Sequence, residues 1–280
     1  MTTLVTGATG RVGSRLVPRL LRHGHDIRIL VRDQARAAPL LEAGARPVVG
    51  DLRDGDTLAR AVDGVDAVVH LGASFRGVPD DEAVAVNQQA TIELGRAALK
   101  AGVGRFVFVS TNLVYGPGRG RPAREDDELA PERAYPTSKA AAEQALRQLH
   151  TGEGLGLRVV RLAFVYGEGD PHLAESLRWA RAWPAHKRLH MVHHADVGQG
   201  IERALRADGV DGGTYNVADD APVTALELLR LGGEPVAPDA ASRPLDDPWD
   251  GIVETARIRR DLGFRPIYPT VYSAADAGAL

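Results

Sequence analysis

Short β-branched runs alternate with longer amphipathic stretches through the first two-thirds of the chain, a pattern that predicts βαβ units and a parallel sheet. Seven runs read as strands: Leu4–Thr6, Ile27–Val31, Pro47–Val49, Ala67–Leu71, Phe106–Val109, Arg158–Arg161 and one near Tyr215–Val217. Between them Val12–His23, Thr57–Val62, Ala83–Ala101 and Tyr135–Leu149 return apolar residues at three- and four-residue intervals, as helices covering both faces of a sheet do. After Gly167 the pattern loosens, because Pro171, Pro184, Pro222, Pro235, Pro238, Pro244, Pro248, Pro266 and Pro269 break it into short pieces. The expectation is an α/β, doubly wound parallel sheet over residues 1–167 and a smaller lobe over 168–280. The lobe is interleaved with the main sheet, since a strand near 214–217 returns to it.

A length of 280 residues suits one large α/β domain with an appendage, and no disulfide can form because there is no cysteine. The N-terminus enters an apolar strand at once, without a basic segment or a cleavable apolar one, which argues for a cytoplasmic protein and against secretion. No apolar run approaches the roughly 18 residues of a membrane span. With 34 basic against 37 acidic residues and a net charge of −3, the balance argues against nucleic acid as a partner. Lys100, Lys139 and Lys187 are the only lysines, so a lysine inside a motif carries information.

Gly7, Gly10 and Gly13 form Gly-x-x-Gly-x-x-Gly directly after the first strand and at the start of the first helix. The first permits a tight turn, the second lets backbone approach a pyrophosphate, and the third lets helix pack on strand. That context predicts a dinucleotide site on a Rossmann-type sheet. The Gly-Lys-Ser/Thr ending of a nucleotide-hydrolysing loop is missing. The second strand ends Val31-Arg32-Asp33, where an acid would grip the ribose hydroxyls of NAD and an Arg would accept the extra phosphate of NADP. Arg32 favours NADP, and Asp33 keeps NAD open. Asp51, after the third strand, reads either as an acceptor for the adenine amino group or as a helix cap.

Tyr135 and Lys139 are four residues apart at the start of a predicted helix, so they share a face. Hydride transfer between a carbinol carbon and a nicotinamide requires a proton to move at the oxygen, and a phenol near its ordinary pKa of about 10 is a poor base at neutrality. A neighbouring ammonium favours the phenolate. Ser110-Thr111 ends the strand Phe106–Val109, where ligands of α/β sheets bind, and either hydroxyl could orient the substrate oxygen.

These residues resemble the extended short-chain dehydrogenase/reductases of the NAD-dependent epimerase/dehydratase family. The resemblance runs nearly end to end, through Thr6-Gly7-Ala8-Thr9-Gly10-Arg11-Val12-Gly13, Val69-His70-Leu71-Gly72-Ala73, Asn87, Ser110-Thr111-Asn112-Leu113-Val114-Tyr115-Gly116, Tyr135-Pro136-Thr137-Ser138-Lys139 and Phe164-Val165-Tyr166-Gly167. His193-His194-Ala195-Asp196-Val197, Tyr215-Asn216-Val217 and Arg260-Asp261-Leu262-Gly263-Phe264-Arg265-Pro266 continue it. It implies that Thr111 is the catalytic hydroxyl with Ser110 its neighbour, alongside Tyr135 and Lys139. It implies cofactor contacts from Gly7, Thr9, Gly10, Arg11, Val12, Gly13, Arg32, Asp51, Leu52, Leu71, Gly72, Ala73, Asn87, Tyr135 and Lys139. Ser74, Thr111, Asn112, Tyr135 and Phe164 become the substrate side. Relatives that act on nucleotide-activated sugars carry an Asn where this chain has Phe164, in Arg161-Leu162-Ala163-Phe164, and the lobe is short. The implied substrate is therefore smaller: a free sugar, sugar acid or other hydroxy/keto compound, as in uronate dehydrogenases of this family. The resemblance also implies a homodimer.

His190, His193, His194 and Asp196 invite a metal reading, but alternating strand positions face opposite ways and Asp196 suits a helix cap, so no metal is expected. The charged stretch from Gly116 to Pro131 reads either as a lid or as a solvated connection. The leading expectation is net hydride transfer. An epimerase or dehydratase that reduces and reoxidises its cofactor within one turnover is the alternative, and a dinucleotide-sensing regulator without chemistry is third.

Overall fold

The computed structural model describes residues 1–75 and 79–280. Its centre is a seven-stranded, all-parallel sheet built from β1 (Thr2–Thr6), β2 (Asp26–Val31), β3 (Arg46–Val49), β4 (Ala67–His70), β5 (Arg105–Thr111), β6 (Leu157–Leu162) and a later strand at Thr214–Val217. In space the order runs from β3 through β2, β1, β4, β5 and β6 to Thr214–Val217. The winding reverses between β1 and β4, which opens a crevice at their C-terminal ends, the place where doubly wound sheets bind ligands. The β-branched runs form these strands because both faces are covered: every residue of β4 and β6 is buried.

Helices α1 (Gly13–Arg22), α2 (Ala38–Glu42), α3 (Gly55–Val62), α4 (Asp80–Val84), α5 (Ala90–Lys100) and α6 (Ala134–Glu153) connect the strands. The stretch expected as one helix over 83–101 is interrupted by a π-helical turn, Ala85–Gln89, between α4 and α5. One core face brings Leu16, Val17 and Leu20 of α1 against the sheet, and the other brings Leu58 of α3, Leu94 of α5 and Leu146 of α6.

The C-terminal half adds β7 (Phe164–Tyr166), α7 (His172–Ala180), β8 (Arg188–Leu189), β9 (Met191–His193), α8 (His194–Arg206), β10 (the Thr214–Val217 strand), β11 (Val223–Thr224), α9 (Ala225–Leu231), α10 (Ala256–Leu262) and α11 (Val271–Asp276). β10 pairs with β6, and α8 contributes Val197, Ile201 and Leu205 to the same core face as α1. Short pairs, β7 with β9 and β8 with β11, frame the remaining lobe. Asp196 does not cap α8: His193 does, its Nδ1 accepting from the Ala195 N–H at 3.1 Å, while the Asp196 carboxylate accepts from Ile267 and Tyr268 N–H groups. The three histidines serve separate partners. His190 contacts the Asp219 carbonyl, His193 the Ala279 carbonyl and His194 the Asp170 carboxylate.

Candidate active site

Gly7 follows β1 with φ +69°, and a Cβ there would lie 2.7 Å from the Gly72 nitrogen and the Leu71 carbonyl carbon, so glycine lets the turns after β1 and β4 meet at the crevice. A Cβ on Gly13 would sit 2.3 Å from the Gly7 carbonyl oxygen, whereas one on the exposed Gly10 would meet only that oxygen, at 3.2 Å. Among the described residues the N–H groups of Arg11, Val12 and Gly13 have no acceptor. Free donors at a helix start, beside open backbone at Gly10, fit a pyrophosphate. The Arg11 guanidinium turns away to the lobe, pairing with Asp170 at 3.0 Å and with both Glu175 oxygens at 3.1 Å.

At the end of β2, Arg32 is exposed and has no ion-pair partner within 4.0 Å among the described residues. Asp33 spends its Oδ1 on the Ala35 N–H at 2.9 Å. Asp51 is gripped by Arg53, whose Nε, Nη2 and backbone N–H reach it at 2.9–3.0 Å, and that grip holds its carboxyl down at about 2, with Arg32 a smaller contributor. Asp51 is therefore not the cap of α3; Asp54 is, accepting from Asp56 N–H.

Tyr135 and Lys139 lie on the first turns of α6. Lys139 is 1% exposed, its Nζ lies 4.0 Å from the Phe108 ring centroid, and burial pushes its ammonium down to about 7 against the charge of Glu143. Thr111, at the tip of β5, accepts the Leu113 N–H on Oγ1 at 3.2 Å, so its own proton is left to give away. Ser110 is buried and its hydroxyl has no partner among the described residues. The Asn112 amide donates to the Gly251 carbonyl at 2.7 Å, tethering the chain around 251 beside the end of β5.

Asn87, on the π turn, clamps the Ser74 backbone, accepting its N–H at 2.7 Å and donating to its carbonyl at 2.8 Å, and donates also to Ser138 Oγ at 3.1 Å. Ser138 in turn donates to the Tyr135 carbonyl at 2.8 Å. One amide thus ties the segment after β4 to the start of α6. A π turn re-aims a side chain within a helix, which is what this clamp uses.

A row of three aromatic groups leads away from the tyrosine. The Phe75 ring meets Tyr135 edge-on at 4.7 Å, His172 lies 6.3 Å from Phe75, and Phe164 stacks on His172 at 4.0 Å. Phe75 and His172 escape sequence reasoning because one sits on a loop and the other opens α7, with no spacing to link them.

The Gly116–Pro131 loop is pinned rather than free: Arg121 forks onto Asp127, Arg124 pairs with Glu254, and Ala123 bridges to Val253. Beneath it Arg161 and Glu143 form a buried two-pronged pair, joined by Tyr115 and Asn216.

A parallel sheet with a glycine-lined crevice, free helix-start donors and a Tyr–Lys pair at the neighbouring strand end defines a nicotinamide-dinucleotide enzyme. The chain belongs to the NAD dependent epimerase/dehydratase family, which it matches over residues 3–218. It is 33% identical over 242 residues to a 4-hydroxy-2-methyl-3-oxo-4-farnesyl-3,4-dihydroquinoline-1-oxide ketoreductase of Stigmatella aurantiaca, covering 82% of this chain and 72% of that one. It is 32% identical to a dTDP-glucose 4,6-dehydratase of Streptomyces griseus, over 95% and 90% of the two chains. Among solved structures, DesIV of Streptomyces venezuelae, a dTDP-glucose 4,6-dehydratase with NAD and TYD bound, superposes with TM-score 0.82 at 28% identity, covering 99% of this chain and 95% of that one. The protein is an extended short-chain dehydrogenase/reductase enzyme. Among the described residues no helix is long and apolar enough to cross a membrane.

Proposed function

We propose that this enzyme transfers hydride, with net reduction or oxidation, between NADP and the C–O carbon of a small, partly apolar hydroxy/keto compound. The observation that carries the reading is the aromatic row that runs from Tyr135 through Phe75 and His172 to Phe164, a ring-rich surface suited to a partly apolar substrate more than to a sugar diphosphate. In this reading Tyr135 exchanges the proton at the substrate oxygen, Lys139 supplies the charge that favours phenolate, and Thr111 donates to that oxygen. Arg11, Val12 and Gly13 N–H groups hold the pyrophosphate, with Thr9, Leu52, Leu71, Gly72 and Ala73 lining the dinucleotide. Bound nicotinamide supplies the hydride acceptor or donor. Elimination of water would need a further acid and base beside the reacting carbons. The two positions that follow Thr111 are Asn112, whose amide is committed to Gly251, and the exposed Leu113, and neither carries an acid or a base.

Support for NADP comes from Arg32, exposed at the end of β2, beside an Asp33 whose Oδ1 is taken up by the Ala35 N–H of its own loop. Calorimetric titration of nucleotide-free protein should show NADP binding tighter than NAD, and Arg32→Gln should weaken NADP about tenfold while leaving NAD within roughly twofold. Tighter NAD, unaffected by that substitution, overturns the cofactor assignment. Residues 168–280 form the substrate lobe in this account, and a cytoplasmic homodimer is the assembly, to be checked by analytical ultracentrifugation.

A further inference from the structure

The imidazole of His70, at the end of β4, is buried between two hydroxyls: Thr6 Oγ1 lies 2.6 Å from Nδ1 and Thr91 Oγ1 lies 2.8 Å from Nε2. The direction of every proton along this line is fixed by counting. Thr91 donates its single hydroxyl proton to the Asn87 carbonyl at 2.9 Å, so toward His70 it can only accept, and Nε2 must carry the proton. Nδ1 is then an acceptor, filled by the Thr6 hydroxyl, and Thr6 accepts in turn from the Gly72 N–H at 3.3 Å. The chain closes on itself. Asn87, whose carbonyl ends this line, grips Ser74 with its side chain. Gly72 to Ser74 is thus held at both ends, by a hydrogen-bonded ring through Thr6, His70, Thr91 and Asn87.

From this ring we infer that His70, as a neutral Nε2–H imidazole, is a positioning residue that sets the Gly72–Ser74 segment against the dinucleotide crevice and in register with the catalytic helix. The segment faces the phosphate-binding turn, since the Gly72 nitrogen is the atom a Gly7 side chain would strike. It is joined to α6 through Asn87 and Ser138. The neutral form suits its surroundings, because burial pushes the imidazolium well below its ordinary range and the Lys139 charge acts in the same sense. Phe108 lies between the two, its ring stacked on His70 at 5.7 Å and facing Lys139 on Nζ. A polar line with one allowed direction gives the segment one geometry, whereas a purely apolar anchor would leave the Gly72 and Ser74 amides to find other partners.

This inference uses only the family's dinucleotide site and does not depend on which substrate is turned over. The test replaces Thr91, which touches neither cofactor nor substrate in this account, by Val and by Ser. Thr91→Val keeps the shape and removes the link, and Thr91→Ser keeps the hydroxyl. Amide hydrogen exchange on the cofactor-free protein should show Gly72 and Ser74 exchanging at least tenfold faster in Thr91→Val, with Thr91→Ser within about threefold of the parent. The NADP dissociation constant should rise about five- to tenfold in Thr91→Val alone. His70→Leu should reproduce both effects if it folds, and the Thr91 pair decides the matter if it does not. Unchanged exchange and affinity in Thr91→Val, or equal loss in Val and Ser, would overturn the inference. Failure of NADP to bind the parent would instead count against the cofactor assignment, leaving the exchange measurement to judge the ring.

Discussion

The Lys139 ammonium nitrogen sits 4.0 Å from the centroid of the Phe108 ring, one helical turn beyond Tyr135. A strand residue three positions before Thr111 thereby faces the charge that the proposed reaction assigns to favouring the Tyr135 phenolate, and burial makes that charge expensive.

The expense is measurable. The folded value for Lys139 is about 7 against about 10.4 in an unfolded chain, so below about pH 7 both states are charged and the burial penalty is complete. Between these values only the unfolded chain holds the proton, and stability from this group rises with pH. Lys139→Met should therefore stabilise the protein by on the order of 1–4 kcal/mol near pH 6, and by less near pH 9, while activity falls at least about a hundredfold. Urea unfolding at the two pH values checks it, and a variant less stable than the parent near pH 6 would contradict it.

The glycines of the first turn should separate by function. Gly13→Ala puts a methyl 2.3 Å from the Gly7 carbonyl and is expected to abolish folding or lower the melting temperature sharply. Gly10→Ala meets only that oxygen, at 3.2 Å, and should fold while binding dinucleotide at least about tenfold more weakly, because its methyl stands where the pyrophosphate approaches. Thermal melting and titration calorimetry distinguish them.

Asp219 predicts the opposite slope with pH. Its carboxyl is buried, neither oxygen accepts a hydrogen bond of normal geometry among the described residues, and burial lifts it to about 8 despite the Ala221 N–H. Between about 3.9 and that value the folded protein holds a proton that the unfolded chain has lost, so stability from this group falls as pH rises and levels off above it. Asp219→Asn should gain on the parent by roughly 4 kcal/mol between about pH 5 and pH 9. A constant difference across that range would show that Asp219 is ionised in the folded protein.

Much of this is legible in the sequence alone. The runs around Val31, Val69 and Val160 are apolar on successive positions because both faces of those strands are covered, and local composition records that directly. The glycine spacing and the Tyr135–Lys139 interval are legible for the same reason, since each lies within one turn or one helix. The π turn at Ala85–Gln89 is not, because it goes with the clamp of Asn87 on Ser74, a contact across 13 residues that no periodicity encodes. The Arg161–Glu143 pair, 18 residues apart, and the aromatic row are likewise products of packing. β7, β8, β9 and β11 are only two or three residues long, too short for alternation to show.

In the proposed reaction Tyr135 moves the proton that accompanies hydride transfer, and one comparison tests that role directly. Purified parent and Tyr135→Phe would be given NADPH and phenanthrenequinone, a flat aromatic dicarbonyl suited to the Phe75–His172–Phe164 row, and NADPH consumption and NADPH affinity measured for both. The parent should consume NADPH, Tyr135→Phe should lose at least about a hundredfold in turnover, and the two dissociation constants should agree within about threefold. A Tyr135→Phe enzyme that consumes NADPH as fast as the parent would contradict that role.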